Sequence, residues 1–540
     1  MAGAPELQAL TARLAGLALV AAWVTPMAPA AAEPDEIEQK ARELEQRVAE
    51  LSAVDPLQPR ALTARLDHAR LLQETAGEDC LQRLAAAEQQ LAPFLTAGPE
   101  ALLALPDGLP DATSLLQSIQ TTRGQCARDE ADARAAFQAS ITIGIRAVEL
   151  LRENWDFEEM AIAQFNIAFA RHELGDLPAA LEDLEQVLAW DQEFGLRDEL
   201  TGDYATLLRW REGGAEADPA AIERFVASRN RTKARFGFAR KAHVARWTTL
   251  TERASLQGGR LVQVSASYDS KVESRRERND WILVTSVEGT PRVDVSGATG
   301  TPADADRLQG LLAGLAGALP EMVIAADGSF KELRNLDAYR AALAAEIEQQ
   351  MATALPPDKI AGTREAASRL LDAALSTESL TATAAGEWDI AVGAWIDGEF
   401  DHGDWYSTSF EDSLPGFSEL PITKTFTFKV SRWLPCAPAR RPDCVEVLVR
   451  IVPEPDQLAA AVADFVGRLM PAASREETEQ AMRAVDYLFE ARYRLVTEPD
   501  TLRPWSVEER KYLYAASIAD GKRAVTARRE RTLDTAQYPN

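Results

Sequence analysis

A chain of 540 residues, 46% hydrophobic and 26% charged, has the composition of a globular protein with room for two or more cored domains. Its formal net charge of -26 leaves nothing to offset phosphate repulsion over most of the surface, which argues against general nucleic-acid binding. Beyond the N-terminal segment, no stretch offers the roughly 18 unbroken apolar residues that a membrane-spanning helix needs.

The N-terminal segment has its own character. Leu14 to Val24, LAGLALVAAWV, forms a short apolar core behind Arg13, and small residues follow at Ala30, Ala31 and Ala32. This layout predicts a secretory signal peptide over residues 1–32, although Glu6 leaves its first part only weakly basic. Together with an Ala- and Arg-rich composition it points to a bacterial chain delivered to the periplasm or beyond the cell.

From residue 33 to about 225 the pattern is helical. Ile37, Leu44, Val48 and Leu51 mark a first helix, and two more runs over 62–94 hinge near Ala76 and Gly77. Residues 97–112 are rich in Pro and Gly and are expected to be a loop. The clearest stretch is Asn166 to Asp191, NIAFARHELGDLPAALEDLEQVLAWD. Ile167, Ala170 and Leu174 share one helical face, and Leu181, Leu184, Val187 and Leu188 share a second. Gly175 ends the first helix where a positive φ costs little, and Asp176 can cap the next.

This hairpin resembles a tetratricopeptide repeat, a helix-turn-helix of roughly 34 residues. Ile167, Ala168, Gly175, Asp176, Ala180 and Leu184 stand at the family's packing and turn positions. Gln164, Arg171 and Gln192 depart from it, where the family carries Trp, Tyr and Pro. One repeat cannot bury its own apolar face, so flanking helices at 136–154 and 199–211 are expected to join it in an array over 33–227. The resemblance implies a protein partner. A generic helical bundle with a Gly-Asp turn is the alternative.

Residues 228–247 form a basic run, SRNRTKARFGFARKAHVARW, expected to connect the array to a first strand with its arginines paired to the acidic helices. A site for phosphate or lipid headgroups is the other reading. Beyond it, over 248–540, strand-like segments alternate with Gly-Gly and Asp-Gly turns. Strands are expected at 245–256, 260–270, 281–287, 292–295, 322–325, 388–396 and 488–497, with helices at 304–318, 336–351 and 457–469. The fold class expected is therefore multidomain α and α+β: a helical array followed by an antiparallel sheet with helices packed on one face.

Four cysteines fall in two pairs. Cys80 and Cys126 lie in the helical half, and Cys436 and Cys444 bracket a Pro-rich loop between strands. Reduced thiols or a metal site are the alternatives, but neither pair has the two-residue spacing of a zinc knuckle. Two structural disulfides are expected.

Candidate chemistry is confined to Asp397, Glu399, Asp401, His402 and Asp404. Carboxylates and an imidazole so close in sequence could ligate a cation or act as a general acid–base pair; an acidic turn with aromatics packed on the sheet is the favoured reading, since turns favour Asp and Gly. His68, His172 and His243 lie on helices or at a strand start and carry no pattern. No phosphate loop, nucleophile elbow, dinucleotide fingerprint or zinc-protease motif is present, and no cofactor is expected. Two functions follow. One is an exported interaction protein, its array binding a protein partner and its α+β domain acting as scaffold or carrier of an apolar ligand such as a lipid. The alternative is a metal-dependent hydrolase centred on Asp397–Asp404.

Overall fold

The computed structural model describes residues 34–54, 58–76, 79–96, 105–213, 218–227, 233–240, 242–257, 260–297, 309–310, 318–354, 376–414, 418–437, 443–469, 486–519 and 522–538. The expected signal peptide, the helix at 304–318 apart from residues 309, 310 and 318, and the Gly258-Gly259 and Asp520-Gly521 turns lie outside them.

The chain begins as an array of helices: α1 (Pro34–Val54), α2 (Pro59–Glu74), α3 (Cys80–Leu95), α4 (Gly108–Cys126), α5 (Glu130–Asn154), α6 (Phe157–Glu173), α7 (Leu177–Phe194), α8 (Arg197–Arg211) and α9 (Pro219–Ala227). Local chemistry sets the boundaries. The carboxylates of Asp129, Asp156 and Asp176 accept backbone N–H groups at the starts of α5, α6 and α7, satisfying donors that a helix cannot pair internally. Trp155 and Gly195 end α5 and α7 in the left-handed conformation. Helix α4 starts at Gly108, inside the expected loop, because Pro110 in its first turn needs no intrahelical donor. A disulfide joins Cys80 of α3 to Cys126 of α4.

The second half is an antiparallel sheet of eleven described strands in the order β6-β5-β4-β3-β2-β13-β12-β11-β10-β9-β8. These are β2 (His243–Gln257), β3 (Arg260–Glu277), β4 (Asp280–Gly297), β5 (Glu321–Ile324), β6 (Phe330–Arg334), β8 (Trp405–Leu414), β9 (Ser418–Leu434), β10 (Cys444–Pro453), β11 (Asp486–Glu498), β12 (Arg503–Ala519) and β13 (Lys522–Gln537). A separate pair joins β1 (Lys233–Arg235) to β7 (Glu399–Asp401). Helices α10 (Leu336–Ala354), α11 (Thr377–Ala391) and α12 (Pro455–Leu469) are interspersed. A second disulfide, Cys436 to Cys444, closes the β9–β10 loop.

Three expectations need correction. Residues 281–287 and 292–295 belong to the single strand β4. The segment 388–396 is not a strand: it finishes α11 and turns through a short 3-10 helix at Gly393–Trp395. Its apolar residues serve helical packing, since Trp388, Val392 and Trp395, four and three residues apart, all enter one core. Among the described residues of the basic run, the ion pairs are with strands and not with the acidic helices: Lys233 and Arg235 bridge Glu399 of β7, and Arg246 bridges Glu288 of β4.

Side chains alternate across the strands and give the sheet two unlike faces. Val445, Val447 and Val449 of β10 and Tyr493 and Leu495 of β11 point to a core built around Trp395, Phe428 and Val430. On the opposite face Leu256, Tyr514 and Ala527 pack under α2, α3 and α4, and Leu448 joins the core of α5 and α6. The array thus lies directly on the sheet.

Candidate functional site

A groove of about 970 Å³ opens on the array. Gln73 of α2, Thr122 and Gln125 of α4, Phe165, Asn166 and Phe169 of α6, and Trp210 of α8 line it. Alternate helices therefore supply most of the wall, one from each successive hairpin, with Leu177 at the start of α7 joining them. The wall helices are tied edge to edge. Gln117 of α4 donates to the Ala163 carbonyl of α6 at 2.8 Å, and Asn166 donates to Ser118 at 3.3 Å. Gln73 reaches across from α2 to donate to Thr122 at 3.2 Å.

The groove chemistry is neutral in a strongly acidic chain. Its polar lining is mainly amide and hydroxyl, and its apolar lining includes Ile162 and Leu177, 36% and 38% exposed. At one end the His172 ring stacks on Trp210 with centroids 4.4 Å apart, beside Glu173 and Arg209. Such a surface offers paired donors and acceptors to a backbone and apolar pockets to side chains, with little field for steering an ion.

The residues singled out in the hairpin have defined places. Ile167, Ala168, Ala180 and Leu184 are buried, Gly175 has a φ of 84°, and Asp176 caps α7. Two departures from the repeat pattern share a partner. Gln164 donates to Asp183 at 2.9 Å, and Arg171 pairs with the same carboxylate at 2.8 Å. A polar trio holds α6 to α7 where the family carries aromatic rings.

The acidic hairpin does not converge. Asp397 sits in the turn with a φ of 59°, and Glu399 is taken by Lys233 and Arg235 at 3.1 and 2.6 Å. His402 is buried, its Nε2 facing the carbonyls of Ser431 and Glu193 at 2.8 and 3.0 Å. Asp401 offers its backbone N–H to the Tyr406 hydroxyl, and Asp404 acts electrostatically on buried Lys429 of β9. Gly403 lies against Gly195 so closely that a Cβ on either would strike the other's backbone. The hairpin is a docking piece between the sheet edge and the end of α7. Among the described residues the set of three grouped metal-binding side chains is Cys436, Asp443 and Cys444, and its two cysteines are already bonded to each other.

Sequence patterns did not reveal the charged contact between array and sheet. Arg492 of β11 forks onto Asp107 just before α4, and it meets Glu490 and Asn154 as well. Arg510 of β12 donates to the Glu153 carbonyl at 2.6 Å and lies 3.8 Å over the Trp155 ring. Arg432 of β9 pairs with Glu193 and Glu446 and sits over Phe157 and Phe194. Burial alone would raise the Asp107 carboxyl, but the charge and hydrogen bonds of Arg492 hold it below the ordinary range. Burial pushes the neighbouring Asp111 carboxyl up to about 8, with the charges of Asp107 and Asp156 adding to the rise and that of Arg70 only partly opposing it. The only advance signal was an Arg or Glu at every second place in β11 and β12, as in EARYR and EERKY.

No family model matches the chain, and no curated protein matches it. Among solved structures it is similar to a chain described as "lipid-protein interactions in lipovitellin", at 8% identity and a TM-score of 0.25. That likeness covers 55% of this chain and 25% of the other, so this chain spans about a quarter of that protein's length; at this score no shared fold follows. No described helix is long and apolar enough to cross a membrane.

Proposed function

We propose that this is an exported interaction protein whose helical array, residues 33–227, works as a tetratricopeptide-like module and holds an extended, uncharged segment of a protein partner. The groove carries the reading: alternate helices line it with amides, hydroxyls and aromatic rings, a chemistry suited to a peptide backbone with apolar side chains. Removal of residues 1–32 as a signal peptide and delivery to the periplasm or outside belong to the same reading. The two disulfides support it, because such bonds persist in oxidising compartments.

A second reading has its own observation. Val264, Ala266, Val272, Val287, Val293 and Val295 share the sheet face that points away from the array, and each keeps part of its surface accessible. An apolar ligand such as a lipid would be sheltered there, with the α+β part, 248–540, as its carrier.

Native mass spectrometry of the protein recovered from its export compartment separates the two. The expected result is a peptide- or protein-sized adduct that disappears when Ile162→Arg and Asn166→Arg fill the groove, with thermal stability unchanged. An adduct that survives those changes sinks the groove reading. A lipid-sized adduct lost only in Ala266→Lys would favour the carrier. A bare chain from every preparation would remove both.

A further inference from the structure

Asp191 serves neither the groove nor the charged contact. It lies in the last turn of α7, is 1% exposed, and neither carboxylate oxygen meets a hydrogen-bond donor among the described residues. The side chain that acts on it most strongly is Asp203 of α8. Glu199, one turn before Asp203, adds its negative charge to both. No described basic side chain acts on either aspartate. Buried Lys429 acts on Glu199, along with Glu158, Asp156 and Asp404, and stops there.

Two facts independent of the acid count make this arrangement unsatisfied. A fully buried carboxylate without donors is costly, because it has given up water for nothing. The carboxyl end of α7 also carries the negative end of that helix's dipole, which opposes an anion in the last turn and favours a cation. The described donors are oxygens alone, with no His or Cys, which selects a hard cation over zinc or copper.

We propose that Asp191 and Asp203 hold a divalent cation of the calcium type, joining α7 to α8. Two carboxylates are in place. Glu199, four residues earlier on the Asp203 face of α8, does not group with the pair at ligand distance, so the remaining coordination falls to water and backbone carbonyls. The cation would fix the last turn of α7, the segment that also meets the sheet through Glu193 and Gly195.

The test is calorimetric titration of the full chain, disulfides intact and metal stripped with chelator, using calcium chloride and then magnesium chloride. Thermal melts are run alongside. Wild-type protein should take up about one equivalent of calcium and melt at a higher temperature with it. Asp191→Asn and Asp203→Asn should each lose both effects while keeping the wild-type circular dichroism spectrum, and the less buried Asp203 covers the case in which Asp191→Asn fails to fold. Glu399→Gln with Asp401→Asn should bind calcium as wild type does. Absence of heat and of any melting shift with either metal overturns the site, leaving a shared proton between the two acids. Calcium heat that survives both aspartate changes and vanishes in the Glu399/Asp401 variant overturns it equally.

Discussion

On one face of the sheet Val445, Val447 and Val449 meet Phe428, Tyr493 and Trp395 in a dry aromatic and aliphatic core. One residue along the same strands, Glu446, Glu490, Arg492, Arg494 and Arg510 face the helical array in ion pairs grouped around Glu446, Glu490 and Glu508. The first face gains free energy by removing apolar area from water. The second gains little net energy, since desolvating charges offsets their attraction, but it tolerates only one alignment of array on sheet. Stability and orientation are thus divided between alternate residues of a strand.

The largest expected effect lies on the dry face. Trp395→Ala removes a fully buried indole from between Phe236, Phe400, Phe426 and Phe428 and should cost about 4 kcal/mol in denaturant unfolding. On the charged face Arg492→Ala strands Asp107 and should cost about 3 kcal/mol. Arg492→Met combined with Asp107→Leu should recover to within about 1 kcal/mol of wild type, because Glu490 retains Arg450. If the double variant is as unstable as the single, the ion pairs stabilise outright and the division of roles fails.

Reduction gives a middle-sized comparison between array and sheet. Cys80–Cys126 closes a loop of 46 residues and Cys436–Cys444 one of 8. Loop-closure entropy makes the first worth more by about 1.5 kcal/mol, measurable as the difference between Cys80→Ala/Cys126→Ala and Cys436→Ala/Cys444→Ala unfolding. Equal losses would show that the helical hairpin is ordered without its crosslink.

The remaining comparison depends on pH. The Asp111 carboxyl is raised to about 8, so its burial is without penalty below about pH 4 and grows costly as pH rises from 4 to 8. Asp111→Asn should therefore raise the melting temperature at pH 8 and leave it unchanged at pH 4. Asp107 runs the other way. Its lowered value contributes stability above the unfolded carboxylate range that is lost as pH falls through the folded value. Trp395→Ala should carry no comparable pH dependence, and a parallel profile for it would erase the distinction between faces.

Much of this architecture was legible because it rests on local signals. The Gly175-Asp176 turn, the Asp176 cap and the period of α6 and α7 are all short-range features. The cysteine pairs were readable from position and spacing. Trp388 to Ile396 misled because alternation over so few residues fits a strand and the buried side of a terminal helical turn alike. The Asp397–Asp404 cluster was visible, but its partners Lys233, Arg235, Glu193 and Ser431 come from distant parts of the chain. The groove was legible only as an expectation of repeats, since its wall draws on helices from Gln73 to Trp210. The charged contact and the Asp191–Asp203 pair depend on side chains that no local pattern places opposite one another.

The position of β13 bears on how the molecule is made. It completes the sheet between β12 and β2, setting Thr532 beside Thr251 across 281 residues. During synthesis β2, β3 and β4 emerge long before the strand that covers the open edge of β2, whereas the array's hairpins meet neighbours made moments earlier. Non-local pairing of this kind is slow and leaves sticky edges in the meantime. A chain so connected gains from being kept unfolded until β13 is available to pair with β2.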